Sequence, residues 1–158
     1  MEGVMREVVC EAAEARKIAV VGDVYSILVS GEETGGAACV IEALVPPGGG
    51  PPLHVHSRED ELFYVLEGEI TFHVEDGVVK AGPGTSVFAP RGRRHRFANE
   101  SARPARMLVT LMPAGLEKMF IEVAMPMVNG TAAAPTPEHI EAVMAACPRY
   151  GVTIVAPG

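Results

Sequence analysis

The sequence predicts a mostly β-strand domain with short helices towards its C-terminal end. Between residues 18 and 112, short apolar runs with alternating side chains are separated by turns rich in glycine and proline, a pattern typical of strands. After Pro113 the apolar residues recur at intervals of three and four, which is the period of a helix. We therefore expect one domain over residues 1–158, with a β-rich core at about 18–113 and a helical extension at 114–158.

The composition is that of an acidic globular protein. The 158 residues carry a formal net charge of -7, and 48% of them are hydrophobic. A chain of this length can bury a sizeable core, and its negative charge argues against nucleic acid as a partner. The N-terminal residues form no long apolar run, so we expect neither a signal peptide nor a membrane span. These features predict a cytoplasmic protein without nucleic-acid or membrane partners.

The cysteines do not form the spacing of a disulfide framework or a zinc knuckle. Cys10, Cys39 and Cys147 are odd in number, and no two of them form a C-x-x-C pair. We therefore expect three buried thiols in a reducing compartment.

Three strands are predicted before the first histidines, because β-branched and aromatic residues cluster there between glycine-containing turns. These strands cover residues 18–21, 25–30 and 37–45. Residues 1–17 show no strong pattern, and both a short helix and an arm that pairs with a neighbouring chain remain open. Residues 46–52 are rich in proline and glycine but lead directly into His54, so we interpret them as an ordered loop rather than a linker.

More strands are predicted after the first histidines. They cover residues 62–66, 70–74, 78–81 and 106–112, with a strand, a turn and another strand within 84–99. Gly68 is expected to turn a hairpin between 62–66 and 70–74, and Asp76 and Gly77 to turn the next one. Alternation places Ile70, Phe72 and Val74 on the inward face, and Thr71 and His73 on the outward face.

Two helices are predicted in the extension. The first helix has Leu116, Met119, Phe120 and Val123 on one face, and the second has Ile140, Val143, Met144 and Cys147 on one stripe. Thr136 and Pro137 are a capping residue and a first-turn proline, and Pro148 ends the second helix. A loop is expected over 129–135 and a last strand over 152–155.

The spacing of the histidines predicts a metal site. His54 and His56 share one face of a strand, because alternate side chains of a strand point the same way. A turn after His56 can return Glu61 beside them, and the strand after residue 94 can supply His95. Three imidazoles and one carboxylate on one wall are suitable ligands for a transition metal.

Other ionisable residues are given structural interpretations. Glu59 competes with Glu61, but Glu61 continues the inward alternation towards Phe63, so we expect Glu59 to be solvated. His73 and His139 are interpreted as structural residues, and no acid or base besides Glu61 is evident inside the core.

A basic cluster surrounds His95. It consists of Arg91, Arg93, Arg94 and Arg96. We interpret this cluster as a solvated turn paired with carboxylates, and recruitment of an anionic substrate is the alternative.

The two histidine-containing stretches resemble the paired motifs of the cupin superfamily. The first motif, G-x5-H-x-H-x4-E-x6-G, is filled by Gly48, His54, His56, Glu61 and Gly68. The second motif, G-x5-P-x-G-x2-H-x3-N, is filled by Gly84, Pro90, Gly92, His95 and Asn99. The resemblance implies an all-β cupin double-stranded β-helix, a jelly-roll barrel with short C-terminal helices. Residues 61–68 resemble single-domain cupins of the quercetin 2,3-dioxygenase-like group.

That resemblance implies a function for the site. One divalent transition metal, which could be Fe, Mn, Ni, Co, Cu or Zn, would be held by His54, His56, Glu61 and His95, with Glu61 also acting as the catalytic proton acceptor. The expected activity is a metal-dependent dioxygenase acting on a small enolic or flavonol-like aromatic substrate. An oxygen-independent isomerase, cyclase or decarboxylase and a non-catalytic small-ligand-binding cupin are the alternatives.

We expect an apolar substrate pocket inside the barrel. Its predicted lining residues are Phe63, Val65, Ile70, Phe72, Val74, Val87, Phe97, Met119 and Phe120. For Met119 and Phe120, packing in the core is the alternative. We also expect a homodimer, because the free edge strands of a barrel need to be covered.

Overall fold

The computed structural model of the chain describes residues 4–156, which form thirteen strands and two α-helices. The strands are β1 (Arg16–Val20), β2 (Asp23–Val29), β3 (Cys39–Val45), β4 (His54–His56), β5 (Asp60–Glu67), β6 (Ile70–Val74), β7 (Gly77–Ala81), β8 (Ser86–Ala89), β9 (His95–Ala98), β10 (Ala105–Met112), β11 (Met127–Val128), β12 (Thr131–Ala132) and β13 (Val152–Ile154). The helices are α1 (Glu117–Val123) and α2 (Pro137–Ala146).

Two antiparallel sheets form the body of the molecule. One has the strand order β1-β2-β3-β10-β5-β8, and the other has the order β13-β4-β9-β6-β7. Strands that are adjacent in the chain often belong to different sheets, so the chain passes repeatedly from one sheet to the other. This is the jelly-roll arrangement that the sequence predicts, with short helices after β10.

The core lies between the two sheets. Buried and partly exposed residues alternate along the whole of β10, as expected for a strand with one face in the core. Phe63 of β5 and Phe72 of β6 are both fully buried, and their ring centroids are 5.1 Å apart. Burying such a side chain stabilises a fold by roughly 1.5–3 kcal/mol, so these two rings are major contributors to the core.

The predicted hairpin around Gly68 is wrong. The strands on either side of it belong to different sheets, because β5 pairs with β10 and β8 whereas β6 pairs with β7 and β9. Gly68 has a φ of 76°, and a Cβ atom there would lie 2.8 Å from the carbonyl oxygen of Pro104. The glycine thus lets the chain cross between the sheets rather than fold back.

The two strands within residues 84–99 are also separated, since β8 pairs with β5 and β9 pairs with β4 and β6. The turn before Gly77 is a hairpin as predicted, and Val74 of β6 faces Gly77 of β7.

The C-terminal extension agrees with the predicted helices but also adds a strand to a sheet. The backbone N–H of His139 donates to the Thr136 hydroxyl at 3.1 Å, which is the N-cap that the sequence indicates. After α2, strand β13 pairs with β4, so that Val152 faces His56. Part of the predicted loop over 129–135 is wrong, because Asn129 and Gly130, both at positive φ, turn the small β11–β12 hairpin.

The cysteines are free in the described part of the chain. Cys39 and Cys147 are buried as predicted, but Cys10 is exposed, because the segment before β1 packs little of its surface against the sheets. In residues 4–156, no helix has both the length and the apolar character needed to cross a membrane.

Candidate metal centre

The structure brings the four predicted ligands together from three strands. His54 and His56 lie on β4, His95 faces His54 on the neighbouring strand β9, and Glu61 approaches from β5 in the other sheet. All four side chains are buried, and one ligand atom from each lies within 4.8 Å of the others. The two sheets therefore contribute to one compact centre.

The distances within the centre suit a shared cation. The Nε2 atoms of His54 and His56 are 2.9 Å apart, and Oε2 of Glu61 lies 3.1 Å from His56 Nε2 and 2.6 Å from His95 Nε2. Two atoms that bind one ion at right angles, each at about 2.1 Å, are themselves about 3 Å apart. The residues present thus fit a transition-metal ion in both ligand type and spacing.

Hydrogen bonds outside the centre orient the imidazoles. Nδ1 of His54 donates to the carbonyl oxygen of Pro52 at 2.7 Å, and Nδ1 of His95 donates to that of Arg93 at 3.3 Å. Because a carbonyl oxygen can only accept, Nδ1 of each of these rings carries a proton. When Nε2 binds an ion in place of its own proton, these two hydrogen bonds hold the ring in the tautomer that a metal ligand requires.

Glu59 has a different position from the one predicted. It is only 4% exposed, and its Oε1 lies 3.0 Å from Nδ1 of His56. The turn after His56 folds this carboxylate under the histidine instead of into solvent. Glu59 therefore orients His56 as the carbonyl oxygens orient the other two imidazoles, while Glu61 remains the carboxylate inside the cluster.

Burial and mutual contact set the charges of the side chains in the cluster. Burial lowers the pKa of His54 to about 4, which keeps this ring neutral. Burial opposes a charge on His56 too, but hydrogen bonds with Glu59 and Glu61 outweigh it and raise the pKa of His56 to about 9. Burial disfavours the charge on Glu61, but hydrogen bonds with His56 and His95 outweigh it and hold the pKa of Glu61 well below its usual value.

The centre opens onto a cavity of about 150 Å³. His54, His56 and Glu61 form one part of its wall, and the loop over 50–52 forms another, as the ordered-loop interpretation requires. The remaining wall is largely apolar and includes both helices. The wall residues from this part of the chain are Leu116, directly before α1, and the helical residues Met119, Phe120, Ile140, Val143 and Met144. The C-terminal extension thus covers the centre.

The structure divides the predicted substrate pocket into two groups. Phe97, Met119 and Phe120 line the cavity. Among the described residues, six others do not line it but pack in or against the core. They are Phe63, Val65, Ile70, Phe72, Val74 and Val87. These six side chains fill the space between the sheets, so the open volume lies between the metal-ligand cluster and the helices.

Sequence reasoning missed an acid in the cavity wall. Asp23, which falls between the predicted strands 18–21 and 25–30, is the first residue of β2 and lines the cavity together with Tyr25. Asp23 is 2% exposed, and burial raises its pKa to about 7 although the Tyr25 hydroxyl donates to it. The signal in the sequence was the alternation along β2, which places Asp23 and Tyr25 on one face.

Three of the four arginines near His95 are paired with carboxylates, as predicted, whereas Arg96 contacts His73. Arg91 contacts Asp60 at 3.1 Å, and Arg93 contacts Asp76 at 2.6 Å. Glu75 accepts contacts from both Arg93 and Arg94. His73, which is half-buried, contacts Glu100 at 2.9 Å, and this agrees with a structural role.

Comparison with known proteins finds one domain family and several curated proteins that are similar to the chain. Residues 41–111 match the sequence profile of the cupin domain. The chain is 30% identical over 89 residues to the tetracenomycin polyketide synthase protein TcmJ of Streptomyces glaucescens. The matched region covers 56% of this chain and 60% of that protein. It is 25% identical over 112 residues to quercetin 2,3-dioxygenase of Bacillus subtilis, which covers 71% of this chain and 33% of that enzyme.

A solved structure resembles the fold over most of the barrel. The crystal structure of a predicted oxalate decarboxylase from Thermotoga maritima has a TM-score of 0.61 and 25% identity, covering 67% of this chain and 99% of the other. The two curated relatives are longer than the matched region, since the chain spans 60% of one and 33% of the other.

Proposed function

We propose, from the premise that this chain belongs to the cupin superfamily, that it is a metal-dependent dioxygenase of a small enolic or flavonol-like aromatic substrate. One observation carries the proposal: a buried cluster of three histidines and a carboxylate opens onto a largely apolar cavity. A flat, poorly hydrated molecule with an acidic enol matches both parts of this site.

One divalent ion of Fe, Mn, Ni, Co, Cu or Zn would be held by His54, His56, Glu61 and His95. Such an ion, when bound, would supply Lewis acidity and exchangeable coordination positions for an enolic oxygen. Outside the cluster, the carbonyls of Pro52 and Arg93 and the carboxylate of Glu59 keep the imidazoles in the ligand tautomer. The chain thus prepares the site before any ion arrives.

Glu61 is the proposed proton acceptor. A proton leaves the enol oxygen of the substrate and passes to a carboxylate oxygen of Glu61, which leaves an enolate in the cavity. Contacts with His56 and His95 hold the pKa of Glu61 well below its usual value, so this carboxylate accepts a proton only from an enol that is itself acidic. An ion held by the cluster would supply that acidity by acting as a Lewis acid towards the enol oxygen.

The cavity limits the size of the substrate. Its volume of about 150 Å³ is close to that of a cavity which accommodates one benzene molecule. A single-ring or open-chain enol therefore matches this volume better than a flavonol does. The apolar wall also disfavours sugars, which need more polar partners.

An oxygen-independent isomerase, cyclase or decarboxylase is the second candidate. The similarity to a polyketide synthase protein and the acid of Asp23 favour it, because ring closure of a polyketone needs proton transfer at two places. A cupin that binds a small ligand without turnover is the third candidate.

Metal analysis followed by oxygen uptake tests the proposal. The purified chain is analysed for bound elements, loaded with the metal found, and mixed with β-diketones, hydroxypyranones and flavonols in an oxygen electrode. The proposal requires oxygen consumption that depends on both metal and substrate. Anaerobic conversion of a substrate without oxygen uptake supports the second candidate, and binding without any product supports the third.

A homodimer remains part of the proposal. In the described chain, β1 and β8 are the edge strands of the larger sheet, and each has one unpaired edge. Light scattering at micromolar concentration should report twice the mass of the chain, and a monomer would remove this part of the proposal.

A further inference from the structure

The cavity wall contains a polar pair outside the metal-ligand cluster. Asp23 and Tyr25 lie on the same face of β2, and they are only 2% and 8% exposed. The Tyr25 hydroxyl donates to Oδ2 of Asp23 at 3.4 Å. Oδ1 of Asp23 is buried and finds no hydrogen-bond partner anywhere in residues 4–156. A buried polar atom without a partner is rare, and beside a cavity it indicates a group that a ligand satisfies.

Three elements hold the pair in place. The Tyr25 ring packs edge-on against Phe120 of α1, with the ring centroids 5.1 Å apart. The loop before β4 passes next to Asp23, and a Cβ atom at Gly49 would lie 2.7 Å from Oδ1. Only glycine can therefore pass this close to the oxygen. The carboxyl is therefore positioned by β2, the glycine-rich loop and α1 together.

The surroundings determine which ligand group Asp23 can bind. No cationic side chain pairs with Asp23 among the described residues, and burial raises its pKa to about 7. In a large fraction of the molecules, the Asp23 carboxyl is therefore protonated near neutral pH. Its Oδ2 accepts the hydrogen bond from the Tyr25 hydroxyl. A protonated carboxyl whose second oxygen is unpartnered is a hydrogen-bond donor. Its natural ligand is a carbonyl or enolate oxygen.

We propose that Asp23, supported by Tyr25, is a specificity-determining residue that donates a hydrogen bond to a substrate carbonyl remote from the metal-ligand cluster. The inference rests on the proposed function, because it takes an enolic substrate held by the cluster as given. It narrows the substrate to compounds with an enolisable dicarbonyl at one end and a further carbonyl along the chain. Open-chain triketones and their relatives have this arrangement.

Two small probes that differ by one carbonyl test this inference. Heptane-2,4-dione and heptane-2,4,6-trione share the enolisable dicarbonyl, and only the trione has the further oxygen. Each is titrated without oxygen into the metal-loaded chain, and binding is followed by enolate absorbance at about pH 6. We expect the wild-type chain to bind the trione about tenfold more tightly than the dione.

Three variants identify the residue responsible. Asp23→Leu removes the donor and should abolish the preference for the trione, whereas Asp23→Asn keeps a donor and should retain most of it. Tyr25→Phe should weaken the preference by a few fold, since Asp23 loses its support. Thr71→Val is the matched control, because Thr71 also has a buried unpartnered oxygen but does not line the cavity. The control should leave both affinities unchanged.

An infrared difference spectrum provides a measurement that does not require Asp23→Leu to fold. The carbonyl stretch of a protonated carboxyl should be present in the wild-type chain, absent in Asp23→Asn, and shifted by the trione but not by the dione. An absent or unshifted band overturns the inference, as does equal wild-type affinity for both probes or a preference that survives in Asp23→Leu.

The outcomes also separate this inference from the proposed function. If the wild-type chain binds neither probe, the enolic substrate class and the role of Asp23 are both wrong. If the Asp23-dependent preference is found but no substrate consumes oxygen, the dioxygenase proposal is lost and the role of Asp23 stands.

Discussion

The inward face of β5 passes through two environments within five residues. Glu61 belongs to a polar cluster beside an open cavity, whereas Phe63 and Val65, the next residues on the same face, are packed in a core without exposed surface. The ring centroids of Phe63 and His95 are only 6.0 Å apart, so the two environments are in direct contact. Strand β5 therefore contributes Glu61 to the polar cluster and Phe63 and Val65 to the packed core.

This difference shows what a barrel interior needs in order to hold a reactive site. The packed rings next to the cluster exclude water from one side, which keeps the histidines and Glu61 in a medium of low dielectric constant. The opposite side remains open only as far as the helices allow. Changes in the polar cluster should accordingly affect metal binding, and changes in the packed core should affect stability.

The largest effect is expected in the polar cluster. Replacing His54, His56 or His95 by alanine should each remove most of the bound metal, because one of four ligands is lost. The affinity loss should exceed the roughly 10–100-fold that is typical of losing an outer hydrogen-bond partner. Metal content after dialysis measures this, and any of the three variants with full metal content would exclude that histidine as a ligand.

In the packed core, Phe72→Ala should lower the stability of the fold without changing metal binding. Removing a fully buried ring leaves a cavity and should lower the free energy of unfolding by about 3–5 kcal/mol. Chemical denaturation measures this loss, while the folded fraction should keep the metal content of the wild-type chain. Loss of metal from a folded variant would show that metal binding in the polar cluster depends on packing in the core.

Glu61→Gln tests the proposed role of this carboxylate, which lies in the polar cluster next to the packed core. The amide keeps the shape of the side chain and some metal, but it cannot accept a proton. Turnover of an identified substrate should fall by roughly a hundredfold or more at equal metal loading. Unchanged turnover would remove Glu61 from its proposed role as proton acceptor.

Glu59→Gln should have a smaller effect on the same centre. Loss of the charged contact with His56 should weaken metal affinity by about 10–100-fold without abolishing binding. Glu100→Gln is the matched control, since Glu100 contacts the half-buried His73 outside the cluster and should leave metal affinity unchanged. Competition with a chelator measures both, and equal affinities for the two variants would contradict the orienting role of Glu59.

The smallest effect concerns Asp23 and pH. Burial raises the pKa of its carboxyl from 3.8 to about 7, so the folded chain binds this proton more tightly than the unfolded chain. The stabilising contribution is complete below about pH 4 and is lost as the pH rises through 7. Between pH 6 and 8 the wild-type chain should lose about 1 kcal/mol more than Asp23→Asn does. Urea unfolding of the metal-free proteins measures the difference, and parallel pH profiles would contradict the shifted pKa.

The fold class and the shared face of His54 and His56 could be predicted because they depend on short spacings. Side chains two residues apart share a strand face whatever the rest of the chain does, which brings His54 and His56 together. The cap at Thr136 and the hairpin before Gly77 are local for the same reason. Their geometry is fixed by neighbouring backbone groups.

Only the tertiary structure decided how these local pieces combine. Gly68 directs the chain across the barrel because the backbone of Pro104 lies next to it, and no local signal contains that contact. Glu59 is buried because His56 offers it a partner, and Asp23 faces a cavity that exists only once α1 and α2 cover the barrel. Each of these outcomes depends on residues far apart in the chain, whose contacts form only when both sheets and both helices are in place.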